Sequence, residues 1–400
     1  MSDHGMQQLN ASDFVTPVAV ENIRRRSMVV GVVATIFAAI LGMRSPDAFH
    51  HAYLLAFMAW LGVSLGALGL LLIIYLTNGR WGLVIRRILE AAVRNLWMMA
   101  LLFLPLYYFV PKMYVWAKPE EVAKNEHLQF IANHYLTQQR FLLHAAVYFA
   151  VWIGLSLLLT RYSREEDVEG NRSHRRLKFL AAPGAILFAF AVTFAAIDWV
   201  MSLDPQWTST IYGLIFLVGQ LMSALCITTV TAVILSRYKP MSELLHRSYL
   251  HDYGKLMLTF TLLWSYFSFS QWLIMWAGNL PDEITWYWVR LHGGWQYVSL
   301  FIALGGFAFP FLVLLSAQLK KDPARIVKIA GWLIVVRFVD LYWLIMPNFS
   351  RRFELHALDI LVPLAMGGFW LALFFRNLKG QVLLPLHAPL TRAVLEPAHE

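Results

Sequence analysis

Two aspartates interrupt apolar runs in similar surroundings. Asp198 stands in FAAIDWVMSLDPQW (194–207) and Asp340 in RFVDLYWLIMPNF (337–349), each seven residues ahead of a proline, Pro205 or Pro347. A carboxylate at bilayer depth costs about 2.5–3.5 kcal/mol or more unless it is paired or hydrated, so each needs a reason. Arg337 lies three residues before Asp340, a spacing that pairs the two on one helix face as a structural ion pair. A histidine opens the preceding run in each case: His144 in RFLLH and His292 in RLH. His251, Asp252 and Lys255 open another run from its opposite side. Asp252 and Lys255 also have pairing spacing, and near an interface their side chains can snorkel to water. Asp204-Pro205 reads as a turn. Tyr212, with Thr208, Ser209 and Thr210, supplies hydroxyls just beyond it.

The functional reading of this set is proton handling. Buried carboxylates and histidines exchange protons where water or a quinol reaches them, at pKa values set by burial and neighbours. The Asp198, Asp340, His144 and His292 positions are expected on one side, with His251, Asp252 and Lys255 on the other, as two half-channels leading inward. His144 and Asp198 would also suit a quinol headgroup, which releases protons as it is oxidised. A b-type haem needs two histidines on facing helices, and His144 and His292 are the pair on offer. Solute transport is a further reading, since Pro183-Gly184 and Gly305-Gly306 break helices as in transporters; such breaks also permit close packing.

The elements that hold these residues follow from composition. The chain has 400 residues, 59% hydrophobic and only 14% charged, where a soluble chain carries about a quarter charged residues. Apolar runs of roughly 17–25 residues suffice to cross about 30 Å of hydrocarbon. Ten spans are expected, near 28–43, 53–76, 95–116, 141–160, 179–201, 209–236, 252–277, 293–318, 324–346 and 357–376. The class is an all-α polytopic membrane protein. The lone Cys226 excludes an internal disulfide and every multi-cysteine metal or haem motif. Residues 1–23 are mostly polar, without the pattern of a cleavable leader.

Lysine and arginine set the orientation. With the N-terminus cytoplasmic, inner segments hold 23 of the 33 basic residues and outer connections 8; Lys255 and Arg337 fall within spans. Both termini are therefore expected inside. The formal charge of +9 is mostly this signal, because the basic residues are spread over many loops rather than grouped into a nucleic-acid face. The longest outer connection, 117–140, is expected to form a short amphipathic surface helix.

The paired aspartates, prolines and histidines suggest an internal repeat. Spans 2–5 match spans 6–9 in direction, giving two four-helix bundles flanked by spans 1 and 10. The corresponding divisions are 1–27, a cytoplasmic segment; 28–52, the first span and loop; 53–208 and 209–356, the bundles; and 357–400, the last span and tail.

IDWVMSLDPQWTSTIYG (197–213), HDYGKLMLTFTLLWSYFSFSQWLIMWAGNLPDEITWYW (251–288) and RFVDLYWLIMPNF (337–349) resemble the F subunit of bacterial alternative complex III, in the polysulfide-reductase (NrfD-like) membrane family. The resemblance runs from about residue 20 to 380. It implies a subunit of a respiratory or photosynthetic quinol:cytochrome c oxidoreductase in the bacterial inner membrane, with quinol, such as menaquinol, as substrate. It also implies a homologous C-type membrane subunit, an iron–sulfur subunit and multihaem cytochrome subunits as partners. They would carry the c-type haems and iron–sulfur clusters, with no cofactor bound by this chain beyond lipids. A proton path through Asp198, Asp340 and Arg337 is the role it implies here. A self-sufficient quinone-binding anchor for an iron–sulfur enzyme and a secondary transporter are the alternatives.

Overall fold

The structure is a computed structural model and describes residues 15–17, 19–169, 171–385, 388 and 391. The long helices of the first half are α1 (Ala19–Arg44), α2 (Pro46–Thr77), α3 (Arg80–Val93) and α4 (Leu96–Met113). Two short ones follow, α5 (Pro119–Val122) and α6 (Glu126–His134), then α7 (Gln138–Glu169) and α8 (Asn171–Trp199). The second half holds α9 (Tyr212–Leu235), α10 (Met241–Leu244), α11 (Arg247–Gly278), α12 (Pro281–Arg290), α13 (Trp295–Ile302), α14 (Phe309–Leu315), α15 (Ala317–Lys321), α16 (Pro323–Ile345) and α17 (Leu358–Leu378).

Among the described residues, nine helical stretches are long and apolar enough to cross a membrane. They are Ala19–Arg44, Pro46–Thr77, Arg80–Met113, Gln138–Val168, Arg172–Leu203, Tyr212–Leu235, Trp295–Leu315, Pro323–Asn348 and Leu358–Leu378. This is the build of a multi-pass membrane protein, in which only helices or closed barrels satisfy every backbone group. Residues 252–277, expected as a span, lie in α11, which is just as long but not among the nine.

Local sequence explains the helix ends. Asn78 takes a left-handed conformation after α2, and its N–H reaches back to the Ile74 carbonyl, a common terminating cap. Asp322 caps α16, accepting from the N–H groups of Ala324 and Arg325, with Pro323 at the first position. The segment 80–94, expected as an inner connection, is instead the buried helix α3, which meets α4 at Asn95. Its high charge hid a face of Leu83, Val84, Ile88 and Leu89 that packs into the core. Residues 117–140 fold as the two short helices α5 and α6 and the start of α7 rather than one surface helix.

Helices α2, α4, α7 and α8 are in contact with one another, as are α9, α11, α13–α14 and α16, and the buried side chains of both groups form one continuous hydrophobic core. The α2–α9 contact joins them, and there Gly66 is indispensable: a Cβ on it would fall 1.9 Å from the Gln220 carbonyl oxygen. Helix α17 lies against α2 and α1 against α17. The far side of α1 leaves Val29, Val33, Ile36 and Phe37 exposed, as a lipid-facing helix does. The α13–α14 helix contains a π-helical stretch, Ala303–Ala308, around Gly305-Gly306. The wider turn there leaves the Gly305 carbonyl to accept from the Trp332 indole at 2.8 Å.

Candidate functional site

Asp198 lies at the end of α8 and is fully buried. Three donors from outside its helix surround the carboxylate. The Tyr135 hydroxyl donates to Oδ1 at 2.6 Å, the Tyr148 hydroxyl donates to Oδ2 at 2.7 Å, and His144 Nδ1 lies 3.0 Å from Oδ2. His144 and Tyr148 are four apart on α7 and so share a face. Tyr135 follows α6 and closes the site from the connecting segment. The rings of Trp152, Trp199 and Phe149 pack edge-to-face or stacked around it. Two bonds fix the end of the helix: Ser202 Oγ donates to the Asp198 carbonyl at 2.5 Å and the Tyr114 hydroxyl to the Trp199 carbonyl at 2.7 Å. A carboxylate so supplied needs no counter-ion to tolerate burial. The His144 side chain remains 27% exposed, so the imidazole links the sealed carboxylate to the outside of the bundle.

Asp340 stands in α16 under different conditions. It is 2% exposed, and Arg337 Nη1 lies 2.7 Å from its Oδ2, as the spacing predicted. By strict geometry Oδ2 and Arg337 Nη1 and Nε make no well-aligned hydrogen bond, while the Trp264 and Arg337 side chains both reach the Asp340 carboxylate. Arg337 is also 5.6 Å above the Trp264 ring. Its guanidinium presses on Gly219 of α9, where a Cβ would stand 1.8 Å from Nη2. Asp340 lines a cleft of about 630 Å³ with Trp264, Gln271, Tyr287, Ser299 and Trp343.

The other predicted residues separate. His292 is exposed, its ring centroid 3.8 Å from that of Trp288 with the planes tilted by 32°, and Nδ1 lies 2.8 Å from the Trp288 carbonyl. It follows α12, whereas His144 stands on α7 against Asp198. Tyr212 is buried with its ring against Trp207 and Phe216. Ser209 donates to Gln271 Oε1 at 2.8 Å, and Gln271 Nε2 donates to the Tyr287 hydroxyl at 3.1 Å, so this part of the hydroxyl series does run toward the cleft. Asp252 and Lys255 form a loose pair at 3.4 Å with both side chains at least 40% exposed, and His251 beside them is only half-buried. They make a surface group, not a buried half-channel.

The deeply buried charges at the far end of α7 are others. Arg86 pairs with Glu166 at 2.5 Å and Glu90 at 3.2 Å; Arg87 pairs with Glu90 at 2.9 Å and closely with Asp167. Ser163 bridges Arg86, Arg87 and Glu90. His174 joins Glu166 at 2.8 Å to Asn78 at 3.1 Å. Counting charge by segment treated these residues as free loop cations; what betrays them in the sequence is Glu90, placed four and three residues after the two arginines.

Two residues that the sequence placed in connections, Asp204 and Arg290, are partly and fully buried. Arg290 is 1% exposed, lies 3.4 Å over the Trp286 ring and donates to the carbonyls of Trp286 and Leu344. Burial pulls its pKa down to about 9, which leaves it charged at neutral pH. Burial pushes the Asp204 carboxyl up, opposed by Arg290. No family model matches the chain, and no curated protein matches it.

Proposed function

We propose that this chain is an integral-membrane subunit of a quinol:cytochrome c oxidoreductase of the alternative complex III type, and that Asp198 and His144 exchange protons with the outer side. The chain would lie in a bacterial inner membrane with ten spans, α11 being the tenth, and with both termini cytoplasmic. Iron–sulfur, multihaem cytochrome and C-type membrane subunits would be its partners and would carry the redox groups.

The observation that carries the proton role is the join between a sealed carboxylate and a partly exposed imidazole. The three donors hold Asp198 in place, and His144 alone of them carries an imidazole, whose two ring nitrogens can take up a proton on one side and release it on the other. A proton entering or leaving Asp198 therefore has His144 as its route. From Tyr148 to Ser163 along α7 is about 22 Å at 1.5 Å per residue. On α7 no Asp, Glu, Lys, Arg or His lies between Tyr148 and Arg161, and none lies on 52–77 of α2, 96–111 of α4 or 179–197 of α8. Exchange at one side therefore has more support than conduction across the bilayer through this bundle.

Mild-detergent purification of the tagged chain from its native membrane tests the assembly. Haem absorbance and iron–sulfur signals co-eluting with the chain are expected. A stable, cofactor-free monomer that carries a solute across vesicles would sink the reading and favour a transporter.

A further inference from the structure

We infer that Lys255, Lys320 and Lys321, where α15 packs on the start of α11, bind the phosphate of an anionic glycerophospholipid headgroup. The site lies at the charge-network end of the molecule: the Tyr253 hydroxyl of α11 donates to the Trp81 carbonyl of α3 at 3.0 Å. It holds whether or not Asp198 exchanges protons.

Lys320 is the unusual member. A lysine that only sets orientation can project into water, yet Lys320 is 6% exposed. Its stem lies across Gly254 of α11, where a Cβ would fall 2.5 Å from the Lys320 Cγ. Holding so long a side chain costs rotamer freedom. Its ammonium makes no hydrogen bond or ion pair among the described residues, and burial and the neighbouring Lys255 pull its pKa below the usual lysine value. A cation held this way lacks its counter-charge. The charges of Lys255, Lys320, Lys321 and Asp252 all act on His251, so the group is compact. Its acids are largely committed elsewhere. Asp252 meets Lys255 only at 3.4 Å, and Asp322 pairs with Arg325 at 3.1 Å while capping α16.

Position and chemistry choose the ligand. Helix α15 joins two stretches able to cross a membrane, Trp295–Leu315 and Pro323–Asn348, so its lysines stand at the boundary of the hydrocarbon. Just before it Leu312 and Leu315 of α14 are exposed, as are Thr259 and Leu263, one and two turns beyond Lys255 on α11. An acyl chain can lie on these side chains while its phosphate meets the lysines. A soluble phosphate would leave them unused. Ammonium groups act on phosphate as point charges and need no bidentate geometry. Basic pockets between spanning helices recognise anionic headgroups in this way. A choline headgroup brings its own cation and gains less.

The test is native mass spectrometry of the full chain in detergent, titrated with phosphatidylglycerol or with phosphatidylcholine of the same acyl chains. Phosphatidylglycerol is expected to bind as a discrete adduct about tenfold more tightly. Lys320→Met keeps a stem on Gly254 without the charge. It should weaken phosphatidylglycerol about fivefold, the worth of one basic residue at a membrane surface, and leave phosphatidylcholine unchanged. Lys255→Gln, at an exposed position, should do the same and serves where Lys320→Met fails to fold. Equal binding of the two lipids by the parent, or unchanged phosphatidylglycerol affinity in either folded variant, would overturn the site. Displacement of phosphatidylglycerol by inorganic phosphate would overturn the lipid and leave a site for soluble phosphate.

Discussion

At Asp198 each donor has a separate job, and substitutions divide them. Tyr148→Phe removes one hydroxyl from a buried carboxylate and is expected to cost about 1–3 kcal/mol, read as a lowered thermal midpoint in detergent. Tyr135→Phe should cost less, because Tyr135 is itself exposed at the edge. His144→Gln keeps a donor but no titrating group; near-parental stability with slower proton exchange is the expected outcome, and equal loss of both would make His144 a packing residue. Asp204 gives a pH test outside the spans. Its folded pKa is raised above the ordinary 3.8 by burial. The folded state thus holds that proton more tightly than the unfolded chain, so the favourable contribution is full below about 3.8 and is lost as pH rises through the raised value. Asp204→Asn should therefore melt above the parent at pH 7 and converge with it near pH 4; parallel curves would contradict the shift. Asp198 was legible in the sequence because a lone charge in an apolar run is rare. Tyr135 and Tyr148 were not, since tyrosines are common at membrane interfaces and these lie 63 and 50 residues away along the chain.

Helices place these residues by close approach, and the same steric reasoning ranks two glycines. A Cβ at Gly66 of α2 would meet the Gln220 carbonyl oxygen at 1.9 Å, a backbone atom that cannot move without shifting α9. A Cβ at Gly219 would meet Arg337 Nη2, the tip of a long side chain. Overpacking costs about 1–3 kcal/mol, and Gly66→Ala should lie at or above the top of that range while Gly219→Ala stays lower. Gly219→Ala should instead show its effect at the Asp340 cleft, through a displaced guanidinium. Reversal of the thermal-shift order would contradict the packing of α2 on α9. In the charge network, Glu166→Gln leaves Arg86 with a weakened partner inside the core, and breaking such pairs costs about 3–5 kcal/mol. Spans were readable as apolar runs, yet α3 was not: its amphipathic face and three arginines resemble a loop when only charge is counted. Nor did the His292 match survive, because the expected eighth span begins after the separate short helix α12 rather than as one continuous helix like α7.

Across the whole molecule, one continuous core holds two carboxylates in opposite conditions, one sealed and one facing a cleft. The spacing of Asp198 to Pro205 and Asp340 to Pro347 matches in the sequence, while the helix ends differ: the 3-10 turn Met201–Leu203 precedes Pro205 and the 3-10 turn Met346–Asn348 contains Pro347. The cleft itself could not be read from sequence, since an unfilled volume depends on how Trp264, Tyr287 and Trp343 pack together. The partly exposed His144 beside sealed Asp198 makes one prediction above the rest. In proteoliposomes holding the intact complex, proton release per electron at the outer face should be measured for the parent and for Asp198→Asn. The account predicts a lower ratio in Asp198→Asn with the complex still assembled. An unchanged ratio in an assembled Asp198→Asn complex would contradict it and leave Asp198 a structural carboxylate.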